Sequence, residues 1–182
     1  AENLRKSNLR NFALPFDWVR VNNFKNINLM LKDNFNELFD IKNFNYLKTS
    51  SNFFILTDDL NCIKDKVKIY QNVKYNINFY HDFDVNQDLS IAFSTFEKKY
   101  KRRIDRLFKI IKKSTNQKVI FIREQINPKL IKIDDLEEFI LIIKSLNSKL
   151  KFKILVVINN FKNVDLSELI DYSEKSEYVI LI

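Results

Sequence analysis

Lys118-Val119-Ile120-Phe121-Ile122-Arg123 opens the stretch whose order of elements decides the fold. Its β-branched and aromatic run reads as a strand. Asp134, with Glu137 three residues on, reads as a capping-box start to a helix that buries Leu136, Phe139, Ile140, Ile143 and Leu146. Lys153-Ile154-Leu155-Val156-Val157-Ile158 is a continuous apolar run, the pattern of a strand buried on both faces. A short helix over Leu166 to Tyr172 and a final strand, Tyr178-Val179-Ile180-Leu181-Ile182, follow. Strand, helix, strand, helix, strand specifies a parallel sheet with right-handed crossovers and helices on its faces. The expected fold class is α/β, with a largely parallel, helix-flanked sheet in the C-terminal half.

Upstream of that stretch, Phe93 to Lys113 carries the clearest helical period. Phe96, Tyr100, Ile104, Leu107, Phe108 and Ile111 form one apolar stripe. Lys98, Lys99, Lys101, Arg102, Arg103, Arg106, Lys109, Lys112 and Lys113 are read as its solvated face. The middle of the chain leans to β structure: Phe53 to Leu56, Val67 to Tyr70, and Tyr75 to Tyr80 with Tyr75, Ile77 and Phe79 on one side. The last of these is expected to end by delivering His81. Asn26 to Leu31, Phe35 to Phe39 and residues 1–10 read as short helices, and Pro15 ends any helix before it.

A chain of 182 residues, 46% hydrophobic and 14% aromatic, suits one domain spanning residues 1–182 with a sizeable core. It begins at Ala and stops at the end of an apolar strand, so it reads as a fragment of a slightly longer domain. The chain has no Gly, which excludes a Gly-rich dinucleotide loop or a P-loop. Turns that need positive φ must fall to Asn or Asp. A single Cys, Cys62, excludes an internal disulfide and fits a reducing, cytoplasmic setting. No apolar run reaches the length of a membrane span, and no signal-peptide core opens the chain. One Cys and one His leave no convincing metal-ligand spacing, and no cofactor is expected.

Two motifs carry chemistry. The first is Leu4-Arg5-Lys6-Ser7-Asn8-Leu9-Arg10-Asn11-Phe12-Ala13-Leu14-Pro15-Phe16-Asp17-Trp18, which holds the only Trp. The second is Tyr80-His81-Asp82-Phe83, which holds the only His. Together with Arg102-Arg103 and Phe121-Ile122-Arg123 they resemble, in order, the putative papain-like cysteine peptidase family. The resemblance implies hydrolysis of peptide or amide bonds by a Cys thiolate at a helix N-terminus, where the dipole and an imidazolium lower the thiol pKa. By the same resemblance that Cys falls at or before Ala1, so no peptidase activity is expected of the sequence as it stands. His81 is the candidate general base; imidazoles titrate near neutrality. Asp17 either orients His81 or stabilises its own turn. Asp82 should point to the opposite side of the strand from His81. Cys62, among acidic neighbours, reads as structural.

The alternative is a non-catalytic module for an anionic partner such as nucleic acid, a nucleotide-sugar or an acidic glycan. The net charge of +8 favours anions generally. Arg102, Arg103 and Arg106 on the basic helix and Arg123 at a strand end are its candidate anion-binding residues, the helix serving as a track for a polyanion. Arg102-Arg103 also matches an Arg-Arg pair of the family, which implies an internal ion-pairing role instead.

Overall fold

A computed structural model describes residues 12–52, 55–56, 62–63, 66–113, 118–125, 127–158 and 164–182. The helix expected over residues 1–10 and the first half of the Phe53 to Leu56 strand lie outside them. In chain order the elements are β1 (Val19–Val21), α1 (Phe24–Lys32), β2 (Phe44–Ser50), β3 (Ile55–Leu56), β4 (Cys62–Ile63), β5 (Val67–Asn72), β6 (Ile77–Asp84), α2 (Leu89–Lys113), β7 (Lys118–Gln125), α3 (Ile133–Leu146), β8 (Lys151–Ile158), α4 (Ser167–Lys175) and β9 (Val179–Leu181). Short 3-10 turns occupy Asn36–Leu38, Ile41–Asn43 and Pro128–Leu130. No helix among the described residues is long and apolar enough to cross a membrane. The chain forms two compact units, Ala1–Asn22 with Asp33–Phe108, and Asn23–Lys32 with Lys109–Ile182.

The first unit contains an antiparallel sheet in the order β1-β6-β5-β2. β5 and β6 are joined by a tight turn in which Asn76 takes φ 49° and the Asn72 side chain accepts the Tyr75 N–H at 3.1 Å. With no Gly available, Asn supplies the left-handed residue here and again at Asn34, φ 56°. Phe35, at φ 61°, departs from that rule. Such a conformation costs a bulky residue on the order of 1–3 kcal/mol. Its ring is fully buried between Phe16 and Phe108, and the Asp33 carboxylate accepts its N–H at 2.9 Å, which offsets the cost. The expected helix over Phe35 to Phe39 is therefore a single 3-10 turn, because two consecutive left-handed residues break the helical path.

The first half of α2 lays Phe96 and Tyr100 of the expected stripe onto this sheet. Phe96 stacks on Phe83 with centroids 5.2 Å apart and meets Phe79 edge-on at 5.0 Å. Phe44 approaches Phe79, Phe83, Phe93 and Phe96 within 5.2–6.0 Å. Such pairs add about 0.5–1.5 kcal/mol each beyond the area they bury.

The second unit holds a three-stranded, wholly parallel sheet in the order β7-β8-β9. The α/β class with a parallel, helix-flanked sheet in the C-terminal half is thus present. Two details differ from the sequence reading. α3 begins at Ile133 after an uncapped Lys132, so Asp134 lies in the first turn, where it faces the helix dipole, and is not the N-cap. β8 is buried on one face only: Phe152, Ile154, Val156 and Ile158 are in the core, while Leu155 and Val157 are half-buried. The strand order explains this. Successive right-handed crossovers that step in one direction put both helices on the same side of a sheet. Phe121 packs on Phe139 of α3, whereas Ile120 and Ile122, pointing the other way, are 61% and 54% exposed. α1 joins the covered side. Phe24 meets Phe139 at 5.2 Å, and buried Asn28 donates to the Asp135 carbonyl and to Glu138, both at 2.8 Å.

The two faces should respond differently to mutation. Ile154→Ala, in the core, should lower unfolding stability by about 2–5 kcal/mol, measured by denaturant titration. Ile120→Lys and Ile122→Lys should each change it by no more than about 0.5 kcal/mol. A large loss in either Lys variant would mean that this face of the sheet is covered.

Candidate active site

Pro15 and Asp17 build the turn that starts the site. Pro15 presets the φ of the second turn position. The Asp17 N–H donates to the Leu14 carbonyl at 3.2 Å, and the Asp17 carboxylate accepts the Leu14 N–H in return. Both polar groups of Leu14 are thereby tied to one residue, which directs the chain into β1. β1 pairs antiparallel with β6 through Val19–Phe79, Arg20–Asn78 and Val21–Ile77. That register carries Trp18 out alongside Tyr80 and His81. The Trp18 and His81 rings meet edge-to-face, centroids 5.8 Å apart and planes at 76°. The Arg20 guanidinium lies 4.7 Å from the Tyr80 ring centre. The two motifs that are far apart in sequence thus meet through the only Trp and the only His.

His81 does not end its strand, as the alternation suggested. β6 runs on to Asp84. What sets the imidazole's place is an irregularity in pairing. β5 pairs Tyr70 with Phe79 and Lys68 with Phe83, so one residue of β5 faces three of β6: Tyr80, His81 and Asp82. Bulges of this kind re-aim side chains and recur beside active sites.

Asp82 is fixed on α2. Its side chain is 2% exposed, one carboxylate oxygen lies 2.5 Å from Lys99 Nζ, and the Tyr100 hydroxyl donates to the other at 3.3 Å. Arg103, 1% exposed, lies with its guanidinium 5.1 Å from the Tyr100 ring centre. Burial above all, and then the charge of Asp82, push the Tyr100 phenol well above its ordinary range, opposed by Arg103. Tyr100 therefore remains a protonated donor. Lys99, 8% exposed, and Arg103 are not part of a solvated face, which corrects the reading of this helix. The signal was present in the spacing. Arg103 follows Tyr100 by three residues and Phe96 by seven, and so belongs to the apolar stripe.

The remaining candidates are dispersed. Arg102 is exposed. Arg106 Nη1 donates to the Ala13 carbonyl at 3.4 Å, and its guanidinium lies 5.9 Å from the Phe12 ring centre. Arg123 belongs to the second unit, where its Nε and Nη2 both donate to Gln125 Oε1 at 2.9 and 2.7 Å. Burial lowers its pKa from the ordinary guanidinium range. Cys62 opens the short strand β4, which pairs with β3. The helix start expected to carry a nucleophile lies outside the described residues. Among those residues no group of three His, Cys, Asp or Glu could hold a metal ion.

A family model described as a putative papain-like cysteine peptidase matches residues 1–162. An uncharacterized protein of Acanthamoeba polyphaga mimivirus is 26% identical over 186 residues, an alignment that spans 100% of this chain and 82% of that protein. No solved structure matches the chain.

The ring contact has a direct optical consequence. A protonated imidazole accepts an electron from excited indole and quenches it. With one Trp and one His, acidification through the imidazole transition should dim Trp18, and His81→Gln should abolish that step. An identical step in His81→Gln would show that the two rings do not meet.

Proposed function

The chain belongs to the putative papain-like cysteine peptidase family, and from that premise we propose that it supplies the general base of a cysteine hydrolase acting on peptide or amide bonds. The observation that carries the reading is the meeting of the Pro15 turn with His81 through Trp18. In such a reaction the imidazole takes the thiol proton as sulfur attacks the carbonyl carbon. It then returns the proton to the leaving amine, and finally takes one from the water that cleaves the thioester. His81 is the residue for all three transfers. Asp17 acts at one remove: it closes the turn that carries Trp18 to the imidazole. The thiolate of that reaction belongs to a Cys at or before the position of Ala1, and not to Cys62.

Hydrolysis of a peptide-amide library tests this. The 182-residue chain should be inactive. A chain extended at its N-terminus to include a Cys should turn over substrate, and His81→Ala in that longer chain should cost on the order of 10²–10⁴-fold. Cys62→Ser should leave turnover unchanged. Activity in the shorter chain, or an extended His81→Ala variant as fast as its parent, contradicts the assignment.

A further inference from the structure

The Tyr80–Asp82 bulge raises a question that the pairing alone does not answer: what keeps two extra residues in one arrangement? The ladder between β5 and β6 is interrupted along this arch. Its feet are fixed by packing, since Phe79 and Phe83 are both buried against Phe96. The Asp82 carboxylate ties the arch itself to the helix below. We infer that the buried Asp82–Lys99 ion pair, completed by the Tyr100 hydroxyl, is a positioning device that sets the direction of the His81 imidazole towards Trp18.

Three features support this. Asp82 directly follows His81, so moving its side chain rotates the peptide that carries the imidazole. Asp82 has two oxygens and each has its own partner, Lys99 at 2.5 Å and Tyr100 at 3.3 Å, which fixes orientation as well as distance. The partners are consecutive on α2, and the second is covered in turn by Arg103, 5.1 Å from its ring. A buried ion pair of this kind is a poor source of stability, because desolvation consumes most of the attraction. Specifying one arrangement among several is the better-attested use of such pairs. Here the arrangement specified is that of the only imidazole in the chain. A catalytic importance for the device rests on the reading of His81 as the base; the experiment below does not.

The double variant Asp82→Asn/Lys99→Met removes the ion pair without stranding either charge. Two signals report on the folded protein without any turnover: the His81-dependent step in Trp18 fluorescence, and the single imidazole Cε1–H resonance. The expected result is a folded variant, by near-UV circular dichroism, in which most of the fluorescence step is lost and the resonance moves towards that of free histidine. A merely structural pair would change the melting temperature and leave both signals where they are, and that result overturns the inference. If the double variant does not fold, Tyr100→Phe decides, since it removes one hydroxyl: a displaced resonance supports the device and an unmoved one overturns it. Failure of the peptidase reading would appear separately, as an inactive extended chain whose two signals still respond to the double variant.

Discussion

Phe96 holds both feet of the bulge that displays His81. It stacks on Phe83 and meets Phe79 edge-on, and those two residues bracket Tyr80, His81 and Asp82. Two aromatic anchors four positions apart on β6, opposite two β5 residues only two positions apart, leave the intervening segment no room in the ladder. It must arch. The arch has a polar residue on each flank of its centre: Tyr80 goes to Arg20 on β1, and Asp82 goes to Lys99 and Tyr100 on α2. The imidazole between them then faces Trp18. Remove the aromatic anchoring and neither the bulge nor the ring contact has a cause.

The same helix does two jobs with one face. From Phe93 to Leu107 its buried stripe is apolar except at Lys99 and Arg103. Two cations in such a place are costly unless compensated, and Asp82 compensates at least one. The Tyr100 phenol, kept protonated by burial and by Asp82, adds a donor that stays in place at physiological pH. This is a polar cluster built under a strand, and it lies next to the one residue in the chain whose type suits proton transfer near neutrality.

Elements set by repetition were legible in the sequence, and positions set by pairing were not. The stripe from Phe96 to Ile111 and the order of strands and helices after Lys118 repeat over enough residues to declare themselves. Asn34 and Asn76 could be expected in left-handed turns because a chain without Gly has few other choices. The bulge at His81 could not be seen, because it exists only in the register between β5 and β6. Nor could the open face of the parallel sheet, since the order β7-β8-β9 is a property of neighbours in space. Phe35 at positive φ runs against its own preference and is explained only by what it packs on. The motifs that hold Trp18 and His81 were legible as parts of one family resemblance, but the contact between the two rings could not be read from the sequence, because it depends on the pairing of β1 with β6.

The central claim is that the Pro15 turn and the β6 bulge bring the two unique aromatic heterocycles of the chain together. A two-dimensional nuclear Overhauser spectrum tests it most directly, because one Trp and one His make every cross-peak between them unambiguous. The account predicts cross-peaks between the indole ring protons of Trp18 and the imidazole protons of His81. A well-resolved spectrum of the folded chain with none of these would contradict it.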